Sequence, residues 1–175
     1  MSSIQRLYDL GDDALANLWE MTIGPNPFVD DVEATVARIQ NFDIPASGAN
    51  KYERHYKTVS IEKVSGKPNI AKEFSFTLTV DRNYQIYKGL VAWKNYVINT
   101  NTGIAAPDTP QDNPRAPFDV WPITPDGEKI PGFGAWHFEG GMVTNVDTLS
   151  LDYTSGDPLT VSVTVSFLSM DDTAI

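Results

Sequence analysis

Groups able to do acid–base, nucleophilic or metal chemistry are few in this 175-residue sequence, and their spacing limits what they can do. The two histidines, His55 and His137, each lack a companion histidine at the two-to-five-residue spacing of a protein metal site. His137, between Trp136 and Phe138, reads as a surface or interface ring. The acid pairs Asp12-Asp13, Asp30-Asp31 and Asp171-Asp172 stand beside Gly, Pro or the chain end and read as solvated loop acids. A general acid and base need separation in space, which adjacency in sequence does not provide. The run GFGAWHFEGG has glycines, but it precedes a strand and lacks the Lys-Ser/Thr of a phosphate loop. There is no GxSxG, and the absence of Cys removes thiolate ligands, thiol nucleophiles and disulfides. The expectation is a protein that is not an enzyme, with no catalytic residue, no metal site and no cofactor.

Aromatic side chains are the next candidates for recognition, since four Trp, seven Tyr and eight Phe could stack on sugars or bases. Most fall at strand or helix core positions. A ligand-binding β-sandwich using these rings is kept as a reading from another class, and it predicts a monomer with a saturable ligand.

The hydroxyl groups show the most distinctive pattern. In TVSVTVSF, Val161, Val163, Val165 and Phe167 alternate with Thr160, Ser162, Thr164 and Ser166; in FSFTLTV, Phe74, Phe76, Leu78 and Val80 alternate with Ser75, Thr77 and Thr79. A period of two places the hydroxyls on one face of a strand and the apolar residues on the other. Neither hydroxyl face carries a charge or a Pro, and such strands invite edge pairing unless they are already paired. The expectation is that both are fully paired in the working state, inside a closed barrel or across subunits. If across subunits, Ser75, Thr77, Thr79, Thr160, Ser162, Thr164 and Ser166 would line a cavity or channel.

The elements that must position these faces follow from periodicity and from breakers. NLWEMTI (17–23) reads as a strand stopped by Gly24-Pro25-Asn26-Pro27, and TVARIQNFDI (35–44) as a second strand ending at Pro45. Ala46 to Ala49 reads as a turn. Residues 52–64 could form one or two strands or a hairpin arm, which Ser65-Gly66-Lys67-Pro68 should break. Between Tyr84 and Ile98 the period becomes helical, with Ile86, Leu90, Trp93 and Val97 on one stripe, so a helix is expected over about 84–98. From 104 to 131 come seven of the twelve prolines, which predicts a long extended loop with at most a short paired arm near Phe118 to Ile123. Trp136 to Glu139 then leads through Gly140-Gly141 into 143–153, and Ser155-Gly156-Asp157-Pro158 turns the chain into 159–170. The fold class expected is mainly β, an antiparallel sandwich or small barrel with one flanking α-helix, in a single domain over 1–175.

Composition bounds the partners. At 19.3 kDa, 41% hydrophobic and 21% charged, the chain resembles soluble globular proteins, and no apolar run is long enough to span a membrane. The first residues lack the basic start and apolar stretch of a signal peptide, so a cytoplasmic site of synthesis and first use is expected. The net charge of −10 disfavours binding to nucleic acid or anionic membranes through phosphate neutralisation. From Lys51 to Lys94 there are nine bases and four acids, a balance of +5, so the remainder sums to −15. From Glu139 to the end there are six acids and no base. Such a division is either an unevenly charged solvated surface or a sign that copies meet head to tail, basic segment to acidic segment.

In order, NLWEMTI, RIQNFDIPASG, KEFSFTLTVDRNYQIYKGLVAWKNYV and FEGGMVTNVDTLSLDYTSGDPLTVSVTVSF span roughly Asn17 to Met170. In this order and spacing the chain resembles the tail tube proteins of contractile-tailed bacteriophages. These are related in fold to the haemolysin-coregulated ring protein of type VI secretion and to the inner tubes of other contractile injection systems. The most specific stretch is the glycine followed by Thr144-Asn145-Val146 and Leu149-Ser150-Leu151-Asp152-Tyr153. The Pro-rich segment 104–131 departs from the family pattern.

The resemblance implies a structural virion protein, with subunits joined in hexameric rings by a shared inner β-barrel and rings stacked into a hollow tube. Implied partners are other copies of itself, a tail sheath protein, a baseplate tube initiator, a tail terminator and a tape-measure protein in the lumen. Genomic DNA would pass through without specific binding. The implied location is the virion tail, after assembly in the host cytoplasm. The inner tube of a phage-derived injection particle or secretion system would share these features.

Overall fold

The computed structural model describes residues 14–99, 102–103, 114–152, 154 and 156–171. The chain runs through β1 (Trp19–Ile23), α1 (Val32–Val36), β2 (Ile39–Phe42), β3 (Ser47–Tyr56), β4 (Val59–Ile70), β5 (Glu73–Thr79) and α2 (Gln85–Val97). It continues through β6 (Ala116–Pro122), β7 (Trp136–Val146), β8 (Thr160–Ser166) and β9 (Ser169–Asp171). All pairings between these strands are antiparallel. The main path is β1-β6-β7-β8-β5-β2, with β9 also on β7, while β3 and β4 form a separate hairpin. The sheets do not close into a barrel. The mainly β architecture with one substantial helix is the expected one.

β7 belongs to both halves of the main path. Its first part pairs β6 and β9 through His137 and Phe138, and its second part pairs β8 from Met142 to Val146. The change of partner falls at Gly140-Gly141, which sequence reading made a turn and which is a bend inside one strand. Gly140 has φ +66, a left-handed conformation that most side chains resist. At Gly141 a Cβ would lie 2.5 Å from the Phe118 ring, itself fully buried, so ring and backbone could not both stay. Gly141→Ala is therefore expected to cost about 2 kcal/mol through overpacking. A thermal melt should show a midpoint roughly 4–8 °C lower.

Both alternating strands bury the expected face. Phe74, Phe76 and Leu78 of β5 and Val161, Val163 and Val165 of β8 are buried, as is Phe167 beyond β8. Phe74 is the centre of a ring cluster, with Phe42, Phe118, Phe138 and Phe167 at centroid distances of 5.0, 5.3, 4.9 and 5.8 Å. Removing each such side chain from water contributes roughly 1.5–3 kcal/mol. The helix stripe is equally clear: Leu90 and Trp93 are fully buried, and Ile86 and Val97 pack against the same core. Trp93 stacks on Phe118 at 6.2 Å, and its indole N–H donates to the Pro114 carbonyl.

Four local expectations are corrected. Thr35 and Val36, read as strand, form the end of α1, because Asp31 caps the turn by accepting from the Ala34 N–H at 2.9 Å; the strand proper begins at Ile39. Ala46 to Ala49 is not a turn, since β3 starts at Ser47, and β4 is not broken by Ser65-Gly66-Lys67-Pro68. Pro68 stands beside the register shift at its partner Ala49, and among the described residues β4 pairs only with β3. The short paired arm expected near Phe118 to Ile123 within the Pro-rich segment is present as β6; what is corrected is its start at Ala116 and its place, an interior strand between β1 and β7. Pro117 fits there because it lies at the register shift between Ala116 and Phe118, while its carbonyl accepts from the Gly24 N–H at 2.7 Å. Ala116, Phe118 and Val120 are the buried alternation that the prolines masked. Residues 104–113 of the expected loop lie outside the described residues.

The start of α2 depends on Asp81, whose carboxylate accepts the N–H groups of Gln85 at 3.0 Å, Ile86 at 3.0 Å and Asn83 at 3.2 Å. Partial desolvation pushes its pKa up, but the bonds from Gln85, Ile86 and Asn83 outweigh this and hold it below the ordinary value of 3.8. A folded-state pKa below the unfolded one adds stability that is present above about pH 4 and is lost as pH falls through the folded value. Asp81→Ala should cost roughly 1 kcal/mol at pH 7 by loss of the cap. Denaturant melts at pH 7 and near pH 3 should show the difference from wild type shrinking at the lower pH.

Candidate functional site: a continuous hydroxyl face

β5 and β8 are direct neighbours, and their register places the hydroxyl residues opposite one another. Ser75 faces Thr164, Thr77 faces Ser162, and Thr79 faces Thr160, with Glu73 opposite Ser166 at the end. All seven hydroxyl residues singled out in the sequence thus occupy one face of the sheet. β7 extends the face on one side with Asn145 beside Thr164 and Met142 beside Ser166, and β2 extends it on the other with Asn41 beside Thr77. Glu73 is the charged group in these paired rows, and no cation occurs in them.

The expectation of a closed barrel or of pairing across subunits for these two strands is corrected. β5 lies between β8 and β2, and β8 between β7 and β5, so both are paired within the chain. Among the described residues, this half of the sheet ends at β2 on one side and at the second part of β7 on the other. Side chains tie those flanking strands to the face: the Gln40 amide donates to Thr79 Oγ1 at 2.9 Å, and Asn41 Oδ1 accepts from the Thr77 N–H at 2.9 Å. Thr144 Oγ1 donates to the Thr164 carbonyl at 3.3 Å, and Ser166 Oγ donates to the Lys72 carbonyl at 3.3 Å. The hydroxyls are half-buried except Thr160, which is exposed. They are wettable and uncharged, suited to contact with water or a sliding polymer and not to proton transfer.

The histidines are placed apart. His55 lies on the exposed hairpin with Glu53 at 3.6 Å. His137 Nδ1 meets Asp119 Oδ1 at 2.5 Å across the β6–β7 pair. Sequence reading missed this partner, eighteen residues away, because only the β6–β7 register brings the two together. Among the described residues, no group of three His, Asp or Glu side chains could hold a metal ion. A cleft of about 810 Å³ opens between β1, α1 and β2, lined by Trp19, Glu20, Glu33 and Gln40 among others. No catalytic constellation converges there.

No protein-family model matches the chain, and no curated protein matches it in sequence. Solved structures do. A chain of the anti-feeding prophage tube-terminating cap superposes with a TM-score of 0.64 at 10% identity, covering 92% of this chain and 91% of that one. A chain of the sheath–tube complex of an extracellular contractile injection system gives 0.59 at 12%, covering 98% and 97%. The fold is one shared with chains of contractile injection systems. A chain from the tail of an empty GTA particle with C6 symmetry shares this fold less closely, at 0.51 and 12%, covering 93% and 99%. In the present chain, the hydroxyl face is a broad surface of the main sheet whose one charged group in the paired rows is Glu73. Among the described residues, no helix is long and apolar enough to cross a membrane.

Proposed function

We propose that the chain is a structural subunit of the inner tube of a contractile phage tail, assembling into stacked hexameric rings that form a channel for genome delivery. The observation that carries this reading is the four-strand face, mostly Ser, Thr and Asn with Glu73 and Met142 at one end, whose paired rows hold no cation and whose described sheet ends at β2 and the second part of β7. β2 of one copy pairing with the second part of β7 of the next would continue the sheet around a ring, with Ser75, Thr77, Thr79, Thr160, Ser162, Thr164 and Ser166 toward the lumen. The pairing is satisfied by backbone groups, and a closed ring leaves no edge. DNA would slide past such a wall, because binding requires cations that neutralise phosphate. A sheath, a baseplate initiator, a terminator and a tape-measure protein would be the partners, and the virion tail the location.

A second reading is the inner tube of a phage-derived injection particle, favoured by the likeness to the anti-feeding prophage and extracellular injection-system structures. Negative-stain microscopy with sedimentation of the purified protein tests both, and rings or tubes are the expected result. A species that stays strictly monomeric with initiator components present would exclude both, and saturable binding of a sugar or nucleobase by that monomer would favour a ligand-binding sandwich. Nuclease treatment of intact particles then separates the two tube readings by whether the cargo is nucleic acid.

A further inference from the structure

The two ends of the main path meet across a gap. Among the described residues β1 pairs only with β6 and β2 only with β5, yet Trp19 of β1 and Phe42 of β2 bring their ring centroids within 6.3 Å. Two clefts open along this gap and share Ala16 and Trp19. The smaller, of about 220 Å³, is lined by Leu15, Leu18, Trp19, Phe42, Ile44 and Trp136 among others, and every residue in its lining is apolar. Leu15 and Ile44 at its edge are 58% and 43% exposed. Water covers a concave apolar surface at a cost, so a chain segment that displaces the water is held there. The cleft of about 810 Å³ beside it adds the carboxylates of Glu20 and Glu33.

The chain enters β1 at the rim of the smaller cleft. Leu15 and Ala16 belong to its lining, the Leu18 N–H donates to the Leu15 carbonyl at 3.2 Å, and the Ile123 N–H donates to the Leu18 carbonyl at 3.1 Å, which ties the entry to the end of β6. The thirteen residues MSSIQRLYDLGDD precede Ala14. Ile4, Leu7 and Tyr8 are spaced so that three large side chains can share one face, and Arg6 is the one base before Arg38. The apolar triplet suits the apolar cleft, and Arg6 suits the carboxylates next to it. Leu7 stands eight positions before Leu15, so a tether of at most about 28 Å keeps it near the rim. A short tether gives an effective concentration on the order of millimolar, well above that of a second copy in dilute protein.

We propose that the segment from Ile4 to Leu10 docks within its own chain at the gap between β1 and β2, with Ile4, Leu7 and Tyr8 in the Leu15–Phe42–Ile44–Trp136 cleft and Arg6 toward Glu20 and Glu33. The contact is made by side chains and leaves the backbone edge of β2 for a ring partner. It therefore does not depend on the tube reading.

The chain has no Cys, so engineered thiols report without background. In dilute full-length protein under mild oxidation, Leu7→Cys combined with Ile44→Cys should form an intrachain disulfide roughly tenfold faster than Gln5→Cys combined with Ile44→Cys, since a disulfide needs close Cβ atoms. Trypsin cuts after Arg, and a docked segment is cut only when it opens. Ile44→Asp, at a half-exposed position of the cleft, should therefore speed cleavage between Arg6 and Leu7 roughly tenfold over wild type. Equal linking from Leu7→Cys and Gln5→Cys, or cleavage of a folded Ile44→Asp protein no faster than wild type, would overturn the proposal. Linking between separately prepared Leu7→Cys and Ile44→Cys proteins as fast as within the double variant would also overturn it and give the cleft to a second copy. Faster linking of Ile175→Cys than of Leu7→Cys to Ile44→Cys would overturn it in favour of the C-terminal residues. Ring or tube formation by the wild-type protein is read separately and is untouched by any of these results.

Discussion

Val163→Lys is expected to leave no soluble, folded protein. Val163 is fully buried, facing Phe76 on one neighbouring strand and Val146 on the other, in the middle of the sheet. A lysine there must place an ammonium among Val and Phe side chains with no carboxylate in register to receive it. Leaving a charge unpaired in such a site costs on the order of 5 kcal/mol or more, and the added volume contributes further strain. Since whole domains are stable by about 5–15 kcal/mol, that loss is enough to empty the native state. Circular dichroism and the soluble fraction on expression are the measurements, and a cooperative melt near that of wild type would contradict the packing described for β8.

Ser162→Lys, one residue away, is expected to leave the subunit folded and to act on function instead. Ser162 lies opposite Thr77 on the half-buried hydroxyl face, where the lysine stem can lie along the sheet while its ammonium reaches water. The loss of stability should stay within about 1 kcal/mol. If the face lines a channel, every subunit now presents a cation to the lumen. Assembled particles should then bind DNA with an affinity that falls steeply with salt, the log–log slope steepening by roughly 0.9 for each phosphate neutralised, whereas wild-type tubes should not bind. Delivery by reconstituted particles, or infectivity of phage carrying the substitution, should drop sharply. Unchanged delivery by particles that carry the lysine would remove the hydroxyl face from the lumen.

The contrast between these two neighbours shows which parts of the molecule are legible from one dimension. The alternation in TVSVTVSF and FSFTLTV assigned Val163 to a core and Ser162 to a polar face, and burial follows that assignment residue by residue. The helix stripe of Ile86, Leu90, Trp93 and Val97 was equally readable, and α2 covers nearly the span that the stripe predicts. Reading failed where a local signal was overridden by a pairing. The prolines suggested no more than a short paired arm near Phe118 to Ile123, yet the bulge at Pro117 lets β6 begin at Ala116 and occupy the interior of the sheet. Gly140-Gly141 suggested a turn, yet a Cβ-free pair was needed to let β7 bend past Phe118 and Leu168. Asp119 could not be matched to His137 at all, because nothing near either residue in the sequence names the other.

The sequence by itself determined the faces: which side chains each strand and helix turns inward, the absence of cysteine chemistry, and the separation of a basic segment from acidic ones. These are properties of side-chain period and composition, and a period of two or 3.6 is set by the backbone geometry of each element alone. Tertiary structure alone decided the neighbours. It put the two hydroxyl strands side by side within one chain, ended the described sheet at β2 and the second part of β7, and paired β3 with β4 apart from the main sheet. Strand order rests on backbone hydrogen bonds that every residue but proline can make, so it is chosen by the packing of the whole core and is not written in any single stretch.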